Sequence, residues 1–382
     1  MSDVIGVVGG GQLARMMQQA AIGLGLPLRL LSEAPDASAA QVIADVTVGD
    51  YTDEATLARF ASGCDVLTFD HEHVPTAHLH RLEDGGTAVR PGPDALVFAQ
   101  DKARMRARLG ELGAPCPEFE VCADADELIR FGERVGWPII AKTSRGGYDG
   151  KGVWRVEGPD DSGEPFVGLP RLSAGEPVQI VAEEFIDFSR ELSALVVRSA
   201  SGQVVSYPIS ETVQREGVCR ETVTPAPDLA EDVATGLQHL ALRIASELGV
   251  VGVLAVELMQ ARDGRIVVNE LAMRPHNTGH WTIDGAATSQ FENHLRAAAD
   301  LPLGSPAMLA DTVAMVNVLG GSRDDLVGGL RHCFAHDNAL RVQIYGKQVN
   351  PGRKVGHVTA LGPDALERAR HAAAYLMGEI ND

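Results

Sequence analysis

The chain has 382 residues, 45% hydrophobic and 22% charged, an ordinary globular composition with length enough for two or three domains. A net charge of −19 disfavours a nucleic-acid partner, while small anionic substrates stay open because local basic clusters decide their binding. Five cysteines without a C-x-x-C pair argue against a disulfide framework or zinc site; with no leader-like N-terminus and no apolar run of about 18 residues, they predict a cytoplasmic protein without membrane contact.

Residues 1–100 alternate the apolar runs VIGVV, LPLRLLS and DVLTFD with the helical stretches QLARMMQQAAIGLG and DEATLARFA. This predicts a β-α-β-α-β unit with a parallel sheet. The first strand runs into Gly9-x-Gly11-x-x-Ala14, and Glu33 closes the next apolar run about 20 residues on. Taken alone, that pattern is a dinucleotide fingerprint and raises an NAD-dependent oxidoreductase as one reading. PDALVFAQDKARMRARLGELG then reads as one long amphipathic helix, its basic residues along one flank, stopped by Gly113 and Pro115.

The texture changes near Pro115. GWPIIAKTSRGGYDGKGVWRV reads as strand, glycine-rich loop, strand, with Lys142 on a strand and Lys151 in the loop. Backbone amides at Gly146, Gly147, Gly150 and Gly152 could wrap a triphosphate, although the loop is not a Walker A sequence. Residues 158–165, GPDDSGEP, read as a surface loop. In IVAEEFID an apolar-acidic segment could present backbone groups to an adenine edge, and Glu191 could hold ribose hydroxyls. SASG reads as the turn of an antiparallel hairpin, and Asp228 as the N-cap of the helix that follows.

The sharpest signal is VGVLAVELMQARDGRIVVNELAMRPHNTGHW. Two apolar runs flank Asp263-Gly264, which predicts a two-residue hairpin turn in which residue i faces residue 527 − i. Glu257 then stands opposite Glu270. Opposed like charges destabilise a sheet unless something neutralises them, and magnesium does so while also taking substrate phosphates. Next comes RPHNTGHW, in which Arg274 offers a fixed bidentate cation for an oxyanion, and His276 and Asn277 offer neutral donors.

GGGQLARMM, GGYDGKG, VELM with VVNELAMRPHNTGHWT, and NPGRKVGH together resemble the ATP-grasp superfamily and, within it, the N5-carboxyaminoimidazole ribonucleotide synthetases. The resemblance runs in register over nearly the whole chain. It implies an α/β and α+β fold in three parts: a Rossmann-like preATP-grasp domain over residues 1–100, an ATP-grasp domain over 101–300 with a lid subdomain at 113–185, and a small β-rich C-terminal domain over 301–382. ATP would lie between two antiparallel β layers. Lys102 and Lys142 would contact phosphates, and Gly147, Tyr148, Asp149, Gly150, Lys151, Gly152 and Val153 would close over them. Glu183, Glu184, Phe185 and Ile186 would form the adenine hinge, Glu191 would take the ribose, and Gln214, Asn269 and Glu270 would reach ATP. Glu257 and Glu270 would bind Mg2+, two ions in all, with Mn2+ able to substitute.

On the same resemblance the first glycine loop does not bind NAD. Gly11, Gln12 and Leu13 would help form a ribonucleotide pocket with Glu72, His276 and Asn277, and Lys347, Arg353 and Lys354 would hold a 5′-phosphate. Arg274 would hold bicarbonate and carboxyphosphate, while Tyr148, Asp149 and Lys354 would position groups or move protons. The implied reaction is ATP-dependent carboxylation of 5-aminoimidazole ribonucleotide by a homodimer in purine biosynthesis. Three positions depart from the expected pattern: Lys102 for arginine, Gln214 for a histidine near ATP, and Met273 for the proline before Arg274. A formate-dependent glycinamide ribonucleotide transformylase shares the two glutamates and the phosphate cluster; GGYDGKG and HNTGHW favour the carboxylating enzyme. The oxidoreductase reading leaves the hairpin carboxylates and the second glycine loop without a purpose.

Overall fold

The computed structural model describes residues 3–146, 152–169, 178–215 and 217–380. Of the expected site residues, Gly147, Tyr148, Asp149, Gly150 and Lys151 lie outside these segments.

The first sheet is parallel, in the order β3-β2-β1-β4-β5. Its strands are β1 (Ile5–Val8), β2 (Leu28–Ser32), β3 (Asp45–Val48), β4 (Val66–Phe69) and β5 (Ala88–Val89). All four residues of β1 are buried, as befits a central parallel strand covered on both faces by helices. Helices α1 (Gln12–Leu24), α2 (Glu54–Ala61) and α3 (Thr76–Asp84) connect the strands. The expected β-α-β-α-β unit is present, extended by β3 and β5 at its edges.

The single long helix expected after residue 92 is two helices, α4 (Pro93–Gln100) and α5 (Lys102–Glu111). Asp101 breaks it: extended at φ −132°, ψ 107°, its carboxylate accepts from the Arg104 N–H and caps α5. The basic residues do not all line one solvent flank either, because Arg106 is completely buried.

Next come β6 (Phe119–Cys122), α6 (Ala125–Val135), β7 (Ile139–Thr143), β8 (Val153–Val156) and β9 (Ile180–Glu184). The strands form a four-stranded antiparallel sheet, β6-β9-β7-β8, over a small core that includes Leu128, Phe131 and Ile180. Residues 158–165 are not a plain loop: short 3-10 turns run Pro159–Asp161 and Glu164–Phe166, and Ser162 and Pro165 are buried.

The third sheet is antiparallel throughout and has nine strands, ordered β15-β14-β10-β12-β13-β16-β18-β17, with β11 paired to β10. They are β10 (Phe188–Arg198), β11 (Val204–Ser206), β12 (Ser210–Arg215), β13 (Val218–Thr224), β14 (Gly252–Ala261), β15 (Ile266–Ala272), β16 (Val313–Leu319), β17 (Arg341–Ile344) and β18 (Lys354–Leu361). Helices α7 (Glu231–Glu247), α8 (Thr282–Gly285), α9 (Gln290–Ala298), α10 (Leu326–His336) and α11 (Ala365–Met377) accompany them. Because β16 pairs with β13, the C-terminal strands continue the central sheet. Helix α7 starts after Ala230, not Asp228; Asp228 stands in the left-handed region at φ 53°, where it cannot cap.

The hairpin of β14 and β15 differs from expectation in a way that shapes the site. Ala261 and Arg265 close a three-residue loop, Arg262-Asp263-Gly264, with Gly264 at φ +93°, and not a two-residue turn. Beyond it Gln260 pairs with Ile266 and Leu258 with Val268, one residue off the expected register. A bulge between Glu257 and Leu258 then takes up Asn269 as an extra residue and restores Glu257 opposite Glu270. Alternation would have sent Asn269 and Glu270 to opposite faces; across the bulge both line the same cavity.

Candidate active site

The four-stranded and nine-stranded sheets and the parallel domain enclose one continuous cleft of about 1630 Å³. Lys102, Lys142, Glu191, Gln214, Glu257, Asn269 and Glu270 line it, as do Gly11, Gln12, Leu13, Glu72, Lys347, Arg353 and Lys354. Arg274, His276 and Asn277 join the two sets. His276 lies 3.1 Å from Glu257, and Arg274 lies 3.2 Å from Glu72.

At the hairpin end each glutamate is held by its own partners. Lys102 Nζ stands 3.1 Å from Glu270 Oε1. Glu257 accepts from Gln214 Nε2 at 3.2 Å in addition to its His276 contact. Burial alone would raise the Glu257 pKa, but those hydrogen bonds and the His276 charge outweigh it and hold the carboxyl below its ordinary value. Glu191 is pushed up to about 7, first by burial and then by the charge on Glu257. Hard oxygens from Glu257, Glu270 and Asn269 suit magnesium. Among the described residues no three His, Cys, Asp or Glu converge on a protein-only metal site. Two carboxylates and an amide leave the remaining positions of such an ion to phosphates and water.

Lys142 reaches two groups, Asn269 Oδ1 at 3.2 Å and Glu183 Oε2 at 2.8 Å. The Glu183 side chain points into the protein. It is 3% exposed and its other oxygen takes Arg106 Nε at 2.7 Å. Burial would raise the Glu183 pKa, but Lys142 and Arg106 hold it down at about 2. Glu184, Phe185 and Ile186 follow at the end of β9, with the Arg155 guanidinium 4.6 Å from the Phe185 ring. Gly152, at φ +71°, and Val153 carry the described end of the second glycine loop into β8.

The first glycine loop is occupied from within. Asp70 accepts from the Gly11 N–H at 3.0 Å and the Ala14 N–H at 2.8 Å, which caps α1 with a carboxylate where a pyrophosphate would sit. A Cβ on Gly11 would stand 2.1 Å from Asp70 Oδ2, so a larger residue there would have to displace the capping carboxylate. Glu33 accepts from the Gly10 N–H at 3.1 Å, and the His71 ring, with Nε2 3.4 Å from its carboxylate, is the main influence holding its pKa down at about 2. Two carboxylates thus fill the anion seat, and Glu33 serves the loop instead of a ribose. Gln12 turns outward and accepts from Lys347, whose pKa falls to about 8, chiefly through burial.

Glu72 grips the segment after β15 at two points, accepting from the Met273 N–H at 2.8 Å and from Arg274 Nε. A proline at 273 would lack the first of these donors. Burial would lower the Arg274 pKa, but Glu72 and Asp70 reverse that and keep the guanidinium firmly charged. Reading the sequence missed Asp70 and Arg106. The single charge among Met105 and Leu109 on a buried helical face was the available signal for Arg106.

Comparison with known proteins identifies the family and the fold. The ribonucleotide synthetase preATP-grasp domain matches residues 1–100, the ATP-grasp domain residues 107–291, and the phosphoribosylaminoimidazole carboxylase C-terminal domain residues 313–371. The N5-carboxyaminoimidazole ribonucleotide synthase of Mycobacterium tuberculosis is 50% identical over 382 residues, covering 98% of this chain and 88% of that one. The crystal structure of the Thermus thermophilus synthetase is 38% identical with a TM-score of 0.84, covering 99% of each chain. The Aspergillus clavatus enzyme, solved with ADP and 5-aminoimidazole ribonucleotide, is 30% identical with a TM-score of 0.87, again covering 99% of each.

Proposed function

The chain belongs to the N5-carboxyaminoimidazole ribonucleotide synthase family of ATP-grasp ligases, and from that premise we propose how its cleft carboxylates 5-aminoimidazole ribonucleotide with ATP and bicarbonate. The carrying observation is that one cleft joins the Lys102, Lys142, Glu257 and Glu270 group to the Lys347, Arg353 and Lys354 group through Arg274. A nucleoside triphosphate and a phosphorylated substrate can thus meet at a fixed guanidinium.

In this reading Lys102 and Lys142 take the ATP phosphates, and Glu191 takes the ribose. Glu257 and Glu270, with Asn269 beside them, would hold magnesium. When bound, that ion neutralises charge spreading over the transferred phosphoryl group. Arg274, oriented by Glu72, holds bicarbonate against the γ-phosphate. A bicarbonate oxygen forms the new P–O bond as the bond to ADP breaks, giving carboxyphosphate. The exocyclic amine then bonds to the carbon of carboxyphosphate, or of carbon dioxide released from it, phosphate leaves, and the amine proton passes to a base. Lys347, Arg353 and Lys354 clamp the 5′-phosphate, which suits three cations within eight residues of chain. Lys354 is also a candidate for positioning the reacting amine, alongside Tyr148 and Asp149, which lie outside the described residues. The reading extends to a cytoplasmic homodimer in purine biosynthesis, supported by family membership; the five cysteines are all free thiols.

The test follows the oxygen. Bicarbonate labelled with 18O should leave one labelled oxygen in each released phosphate. Unlabelled phosphate would mean that bicarbonate does not attack ATP.

A further inference from the structure

Arg106 is the most deeply buried charge near the cleft, and no step above uses it. Its side chain is 0% exposed. All three guanidinium nitrogens are spent: Nε on Glu183 Oε1 at 2.7 Å, Nη1 on the Val268 carbonyl at 2.8 Å, and Nη2 on the Asn269 carbonyl at 2.7 Å. Those carbonyls belong to the bulged stretch of β15, an edge strand that pairs with no strand on that side, where the Val268 N–H goes to the Pro115 carbonyl at 2.8 Å and the two carbonyls are left to Arg106. We infer that Arg106 is the positioning residue for the nucleotide half of the cleft: it pins the β15 bulge that presents Asn269 and Glu270 together, and through Glu183 it sets Lys142.

Arg106 acts through two arms. The first is the backbone. A bulge leaves local carbonyls without strand partners, and buried carbonyls need a donor. Arg106 supplies two in one planar fork, which fixes the spacing of successive carbonyls and hence where Asn269 and Glu270 point. The second arm is charge. Glu183 is shared between Arg106 and Lys142, and Lys142 in turn touches Asn269. Without Arg106, a carboxylate only 3% exposed would have Lys142 as its remaining close cation and would draw that amine away from a phosphate. Arg106 also ties α5 to both antiparallel sheets, since Glu183 sits on β9 and the carbonyls on β15.

The inference rests on the nucleotide assignment above, and its test separates the two. In full-length enzyme, Arg106→Met should raise the KM for ATP at least tenfold and raise the Mg2+ concentration for half-maximal rate. The KM for 5-aminoimidazole ribonucleotide should stay within twofold. Adding Glu183→Gln should return the ATP KM toward the parent value, because Lys142 is released, while the Mg2+ requirement stays high, because the bulge remains unpinned. A merely structural role would move both substrates together and would not be relieved by the second change. Should Arg106→Met fail to fold, Arg106→Lys decides. It keeps the charge opposite Glu183 but lacks the fork, so the Mg2+ requirement should rise with the ATP KM within about threefold. Parent-like ATP and Mg2+ dependence in the folded variants would overturn the inference. A parent enzyme that turns over without ATP would instead overturn the nucleotide assignment itself.

Discussion

Replacing Glu270 by alanine separates chemistry from folding more cleanly than any other change in the cleft. Its side chain is 43% exposed, and its ion partner is Lys102, at 3.1 Å. A pair this wet contributes about 0–1 kcal/mol to stability, so the melting temperature should fall by about 2–4 °C or less. The same carboxylate is a proposed magnesium ligand at the phosphoryl group. Removing one preorganised stabiliser of transition-state charge costs about 3–4 kcal/mol, or roughly a hundred- to a thousandfold in rate. Glu257→Ala is less clean, because it strands the Gln214 and His276 donors in a half-closed site and costs about 1–3 kcal/mol of fold as well. The assay is steady-state ADP release across a Mg2+ titration, with calorimetry on the same samples. ADP release within tenfold of the parent at unchanged Mg2+ dependence would refute the metal assignment. A fall in melting temperature beyond about 10 °C would refute the stability argument.

Lys354→Ala should raise the KM for 5-aminoimidazole ribonucleotide tenfold or more and leave the ATP KM within twofold; the opposite split would mean the phosphate seat is misplaced. Burial lowers Lys347 to about 8, so its charge is present below that pH and lost above it. Ribonucleotide affinity should therefore weaken as pH rises through about 8, and Lys347→Arg should flatten that profile. Glu191, raised to about 7, keeps a proton in the folded chain that the unfolded chain loses near its ordinary value of 4.5. Stability should thus decline between those two values as pH rises, relative to a Glu191→Gln variant melted in the same buffers. Asp70→Ala removes the carboxylate cap of α1 and should cost about 1–2 kcal/mol in denaturant titrations, with no gain of NAD binding.

Much of this was legible in the chain, and the exceptions have physical reasons. Strand and helix periods marked the parallel unit and the glycine loop between β7 and β8. The opposed glutamates followed from pairing two apolar runs around Asp263-Gly264, although the turn holds three residues and the register slips by one. Two irregularities cancel, and no local pattern announces a bulge that only the cleft makes useful. The break at Asp101 was hidden because no glycine or proline stands between Asp94 and Leu109 to mark it. The internal plug of the first glycine loop was invisible for another reason: Asp70 is 59 residues from Gly11 in sequence. The part played by the Glu183 side chain was not legible either: the segment reads as presenting backbone groups to an adenine, and nothing local shows that the carboxylate is shared between Arg106 and Lys142.

The most direct test of the account is Mg2+-dependent ADP release in degassed buffer, with 5-aminoimidazole ribonucleotide present or withheld and bicarbonate added in steps. Release that requires the ribonucleotide and climbs with bicarbonate is the predicted result. Release that ignores both, or that appears only with glycinamide ribonucleotide and formate, would contradict it.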